Sequence, residues 1–187
     1  MDIRPDSVVA VIGTGPIALS AAALAVQKGA QVYVIGRNNK KLQIALKIGV
    51  SGIIDIHNGD LTEGLQAQTG GRLANFILEC SGREGMLNEI IKIAEPKAVA
   101  ALIGFYSAAP TDVDFNTLVA KELTFIGIMG EYGNLEAVSK IAAEHDMKLA
   151  EMITEERLFS ECEAALSAEE RSGVVKTMIK ISEETVL

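Results

Sequence analysis

At 187 residues the chain is long enough for one domain with a full core, and its formal net charge of −8 disfavours nucleic acid or an anionic membrane as the main partner. Two cysteines, Cys80 and Cys162, are too few for a disulfide framework and lack metal-ligand spacing. The first residues have no signal-peptide character, and the most apolar stretch, residues 16–26, is shorter than the roughly 20 residues of a membrane span, so a soluble cytoplasmic protein is expected.

Aromatic residues make up 4% and Trp is absent, which leaves Ile, Leu, Val and Ala to build the core, as suits a buried parallel sheet flanked by helices. Val8–Ile12 reads as a buried strand closed by glycine, and residues 16–28 as a helix with Pro16 in its first turn and Gly29 as its stop. Gln31–Ile35 is a second strand, Asn38–Ile48 a helix ended by Gly49, and Ser51–Ile56 a third strand. A helix over Leu61–Gln68 stops at Gly70 and Gly71, and Asn75–Glu79 is strand four. A helix over Glu84–Ala94, terminated by Pro96, leads to strands Ala98–Ile103 and Leu123–Ile128. The longer connection between those two strands, 105–122, has room for a turn or two of helix, and a helix over Leu135–His145 closes the unit.

Strands alternating with helices imply βαβ crossovers, and six of them in two halves fit a doubly wound Rossmann sheet of order 3-2-1-4-5-6 over residues 1–147. Residues 148–187 differ: they carry nine Glu against five Lys and Arg. They suggest a strand (Ala150–Ile153), a helix (Ser160–Ala168) and a final strand (Val174–Ile181) that break the alternating rhythm.

Gly13-Thr14-Gly15-Pro16-Ile17-Ala18 follows the first strand and opens the first helix. The glycine spacing is weak evidence alone, but strand before and helix after are the context it needs. Gly13 allows the tight turn, Gly15 leaves room for a pyrophosphate, and the amides from Ile17 onward face the phosphates with the helix dipole behind them. Ala18 takes the place of a third glycine and is small enough for close helix packing.

The second strand ends at Gly36-Arg37, where NAD-binding domains carry an acid for the ribose 2′-hydroxyl. Gly36 leaves nothing to repel a 2′-phosphate, Arg37 offers a planar fork of donors, and Lys41 stands one helical turn further on. From Ser7 to Ile54 there is no Asp or Glu, while Lys28, Arg37, Lys40, Lys41 and Lys47 are all positive. This pattern favours NADP(H). Two plainer readings remain: a solvated basic helix face, and an Arg37 that stacks on adenine while NAD binds. FAD and S-adenosylmethionine sites of this topology also want the missing acid, and no phosphate-loop sequence is present. Tyr33, Tyr106 and Tyr132 are followed four residues on by Arg37, Pro110 and Glu136, which excludes the Tyr–Lys pair of short-chain dehydrogenases.

Residues 11–18, Leu42 with Ala45 and Gly49, Thr69-Gly70-Gly71-Arg72, Glu79-Cys80-Ser81-Gly82, Ile103-Gly104 and residues 121–127 together resemble the medium-chain dehydrogenase/reductase family of zinc-type alcohol, polyol and threonine dehydrogenases. The resemblance implies that Gly13, Gly15, Pro16 and Ile17 line the pyrophosphate and that Gly36, Arg37 and Lys41 select the adenosine ribose. It also implies that Ser81 and Gly82 lie along the cofactor, with Gly104, Phe105 and Ile128 near the nicotinamide. In that family strand six commonly pairs with its copy in a second subunit, so a homodimer is expected. Members are roughly twice this length, and the part not represented here supplies the zinc ligands and most of the pocket for an alcohol or carbonyl substrate. On this reading the chain is the cofactor-binding portion of an oxidoreductase, and residues 148–187 resemble a return to the missing domain, leaving the last strand without its natural partners. The alternative is a stand-alone dinucleotide-sensing module without turnover. No catalytic residue and no metal site is expected here: Cys80 suits a place beside the cofactor, Cys162 a helix core, and His57 and His145 solvent.

Overall fold

A computed structural model describes residues 1–130, 134–167 and 173–181 of the chain. Strand β1 (Val8–Ile12) is buried over its whole length, as a central strand covered on both faces must be. Alternation sorts its side chains: Val9 and Val11 enter one core, while Val8, Ala10 and Ile12 enter the other. Helices α1 (Pro16–Gln27) and α2 (Asn39–Ile48) cover the first core; α3 (Leu61–Thr69) and α4 (Met86–Ile93) cover the second.

The strands β1, β2 (Gln31–Gly36), β3 (Gly52–Asp55), β4 (Ala74–Glu79), β5 (Ala94–Leu102) and β6 (Thr124–Gly127) form one parallel sheet of order β3-β2-β1-β4-β5-β6. Helices α5 (Phe115–Ala120) and α6 (Leu135–Glu144) complete this part of the chain. The strand order reverses between β1 and β4, so their carboxyl ends diverge into the crevice where open α/β sheets bind ligands. Local signals set the helix ends that frame this crevice. The Asn38 side chain accepts from the Lys41 amide (3.2 Å) to start α2, and Gly49, at φ +99°, ends it.

Four sequence expectations need correction. Pro96 does not terminate a helix, because α4 already stops at Ile93 and Pro96 lies inside β5. Its missing N–H costs nothing there: pairing jumps from Ala74↔Ala94 to Phe76↔Val99, so the proline sits in a bulge where no ladder bond is required. The tail begins with a 3₁₀ turn at Leu149–Met152 where a strand was expected, and the strand follows as β7 (Ile153–Leu158). Within the described residues the following helix comprises a 3₁₀ turn (Phe159–Glu161) and α7 (Cys162–Ser167); Ala168 lies outside them. The last strand, β8 (Lys176–Lys180), pairs in parallel with β7. The tail therefore keeps the βαβ rhythm in miniature, which the run of charged residues in β7 had concealed. Met147, Met152, Leu149 and Val175 attach this unit to the α1–α2 core, and Lys47 Nζ reaches Glu151 at 3.2 Å.

Lys121 shows how a connection is pinned to the sheet. Its ammonium donates to the carbonyls of Ile91 (2.8 Å), Lys92 (3.0 Å) and Ala94 (2.8 Å), closing the open end of α4. Burial lowers its pKa. Among the described residues no helix is long and apolar enough to cross a membrane.

Candidate dinucleotide site

The corner after β1 has the geometry that anion binding requires. Gly13 adopts φ +121°, a conformation that L side chains rarely adopt, and its N–H donates to the Ile35 carbonyl at 2.9 Å. A Cβ placed there would stand 3.5 Å from both Ala18 Cβ and Cys80 Cβ, so the turn is held closely against the first helix and β4. Gly15 caps α1 without any side-chain hydrogen bond, and a Cβ added to it would meet nothing within 4 Å. Ile17, next in the first turn, is 65% exposed. The start of α1 therefore opens onto free space with its amides uncapped by any side chain.

At the end of β2, Gly36 is limited by a neighbour. An ideal Cβ at this position would lie 2.5 Å from Thr14 Cγ2 and 3.3 Å from Leu42 Cδ2. The Thr14 methyl thus fills the space in which an acidic side chain would begin. Arg37, one residue on, is exposed and has no hydrogen bond or ion pair with any described residue. Lys41 is only 9% exposed, yet it lines the same cleft.

That cleft, of about 400 Å³, brings together Gly13, Gly15, Gly36, Arg37, Lys41 and Ser81. Its wall also contains Arg83, which sequence reasoning missed; an arginine shortly after a strand ending in Ser-Gly was the available signal. Three cations thus share one cleft. A second depression of about 340 Å³ is lined by Gly104, Phe105 and Ile128 among others. Gly82 links the two, since a Cβ on it would lie 2.1 Å from the Phe105 carbonyl oxygen. Pro16, Ile17 and Gly82 are absent from the first lining and flank it through the helix start and the loop after β4.

Cys80 lines the cleft as a free thiol, and burial, followed by the Glu79 charge, pushes its pKa up to about 12. At pH 8 its thiolate fraction is on the order of 10⁻⁴, and the thiol is a poor nucleophile. Labelling with a disulfide reagent at pH 8 should leave Cys80 unmodified in the native chain and modify it in denaturant. Rapid native labelling at Cys80 would contradict this burial. Cys162 is half-buried, and His57 and His145 are exposed. Among the described residues no three His, Cys, Asp or Glu side chains group as a metal ion would need.

Residues 16–144 match the family model described as zinc-binding dehydrogenase. A sorbitol dehydrogenase from Halalkalibacterium halodurans is 26% identical over 180 residues, 95% of this chain and 52% of that protein. Among solved structures, a zinc-binding dehydrogenase from Sinorhizobium meliloti 1021 bound to NADP superimposes with a TM-score of 0.88 at 20% identity, covering 95% of this chain and 53% of that one. An alcohol dehydrogenase from E. coli CFT073 complexed with NADH gives a TM-score of 0.78 at 24% identity, covering 88% and 48%. This chain spans about half the length of the sorbitol dehydrogenase it matches. The family match, the sheet order and the glycine corner agree, and the chain belongs to the zinc-binding dehydrogenase family, the medium-chain dehydrogenases/reductases that its sequence resembles.

Proposed function

We propose that this chain is the cofactor-binding portion of a medium-chain oxidoreductase and that it takes NADP(H) in preference to NAD(H). The observation that carries the preference is the end of β2: Gly36 without a carboxylate, the Thr14 methyl in the space an acid would need, and Arg37 free beside Lys41 and Arg83. A 2′-phosphate placed there meets cations and no fixed negative charge from position 36. The structural neighbours include one solved with NADP and one with NADH, so the fold accepts either and the choice rests on this chain's own side chains.

The residues present fit such a cofactor. Gly13 and Gly15, with Pro16 and Ile17 at the helix start, supply the pyrophosphate seat; Ser81 and Gly82 border the middle of the molecule; Gly104, Phe105 and Ile128 form an apolar place for the nicotinamide. When bound, the nicotinamide gives or accepts the hydride of an alcohol–carbonyl interconversion. The substrate pocket and any zinc would belong to the part of the relatives that this chain does not span. In the six-stranded sheet β6 pairs only with β5, so its outer edge could receive the same strand from a second copy, giving a homodimer.

Fluorescence titration tests the preference. NADPH should bind about ten- to a hundredfold more tightly than NADH, the worth of one charge-assisted bond of roughly 1.5–3 kcal/mol. Arg37→Ala should remove most of that difference while leaving NADH affinity nearly unchanged. Equal affinities in the parent chain, or binding of neither, would sink the proposal.

A further inference from the structure

Glu79 is the one acid among the described residues that is fully buried, and nothing in the cofactor reading uses it. It ends β4, and its carboxylate folds back over the loop that follows. Oε1 accepts from the Ser81 amide (2.8 Å), the Ser81 hydroxyl (2.5 Å) and the Gly82 amide (3.1 Å). Oε2 has one longer bond, from the Gly82 amide at 3.2 Å. The same residue's main-chain carbonyl accepts from the Ile103 and Gly104 amides at 2.8 and 2.9 Å. One residue therefore holds both the loop after β4 and the loop after β5.

Those loops meet backbone to backbone. A Cβ on Gly104 would stand 2.3 Å from the Gly82 nitrogen and 2.9 Å from Glu79 Oε2. Two residues further along is Tyr106, whose hydroxyl is buried with no hydrogen-bond partner among the described residues. A buried donor of this kind costs free energy unless an acceptor is within reach. Burial and then the Glu79 charge raise the Tyr106 pKa, so the hydroxyl keeps its proton and remains a donor, while Glu79 is close enough for its charge to be felt.

We infer that Glu79 and Tyr106 are a positioning pair: the Tyr106 hydroxyl donates to Glu79 Oε2 and so latches the Gly104–Phe105 loop onto the Ser81–Gly82 loop, fixing the seat of the nicotinamide half of the cofactor. The identity of the ligand in this assignment rests on the function proposed above; the latch itself does not. Neither residue need touch the cofactor. Without the latch, the adenosine end would still find Arg37, Lys41 and Arg83, but the far half would lose its ordered platform.

The test compares the whole dinucleotide with its adenosine fragment on the full chain. NADPH and 2′,5′-ADP are titrated against the parent, Tyr106→Phe, Glu79→Gln and the double variant. Each single change should weaken NADPH about tenfold, the worth of one hydrogen bond to a charged group, and leave 2′,5′-ADP within about twofold. The double variant should be little worse than Glu79→Gln, because both act through one carboxylate. Tyr106→Phe removes one hydroxyl and keeps the ring in place, so it folds even if Glu79→Gln does not. Amide exchange in the ligand-free chain gives a second readout: Tyr106→Phe should speed exchange at residues 81–82 and 104–105 alone. Unchanged NADPH binding, equal losses for both ligands, or unchanged exchange overturns the latch. A parent chain that binds neither ligand but shows the exchange effect keeps the latch and overturns the cofactor reading instead.

Discussion

Gly36→Asp is expected to weaken NADPH binding by about ten- to a hundredfold without turning the chain into a good NADH binder. The loss follows from charge: in the proposed site a carboxylate at the end of β2 would face the phosphate assigned to Arg37 and Lys41. The missing gain follows from space. The new Cβ would lie 2.5 Å from Thr14 Cγ2, so the threonine must rotate or the strand end must shift before the carboxylate can reach a ribose hydroxyl. Adding Thr14→Ala removes that methyl, and the double variant should then bind NADH more tightly than the parent does. Tight NADH binding by Gly36→Asp alone, with NADPH undisturbed, would show that neither the methyl nor the charge governs the choice.

Gly82→Ala should cost the folded chain about 2–5 kcal/mol. Roughly 1–2 kcal/mol comes from a side chain in left-handed backbone, since Gly82 sits at φ +58°. About 1–3 kcal/mol more comes from overpacking, because the new methyl would start 2.1 Å from the Phe105 carbonyl oxygen, a backbone atom that cannot swing away. Gly15→Ala is the control: its backbone is extended and its Cβ would meet open space, so denaturant unfolding should be nearly unchanged. If the two variants unfold at the same denaturant concentration, the loops after β4 and β5 are not in contact as described.

Much of the sheet was legible because its strands are apolar runs bounded by glycine, and because Gly13, Gly15 and Pro16 punctuate the first crossover so clearly. The six-strand order followed from the alternation. What escaped the sequence is what depends on two segments meeting. Arg83 is far from Arg37 along the chain and belongs to another crossover, so no periodicity linked them. Thr14 and Gly36 each read as small residues at strand ends; only the fold shows that one occupies the other's space. Glu79 read as an acid closing an apolar strand, a position that says nothing of the amides converging on it. Pro96 misled because proline stops helices in general, and here a bulge in β5 absorbs it. The tail misled for the opposite reason: in β7 and β8 exposure alternates, but the half-buried side of β7 carries Glu155 and Arg157, so residue type gave no sign of a parallel pair.

The three cations of the cleft belong to a chain whose formal net charge is −8, so a dinucleotide bound as proposed would be repelled by the chain as a whole and attracted by its cleft. At long range a dinucleotide phosphate feels the acidic surface; within about 10 Å at ordinary ionic strength it feels Arg37, Lys41 and Arg83. The field thus has direction, favouring anions at the carboxyl ends of β1, β2 and β4 over the acidic average of the chain. Such an arrangement makes arrival, and not only residence, sensitive to salt.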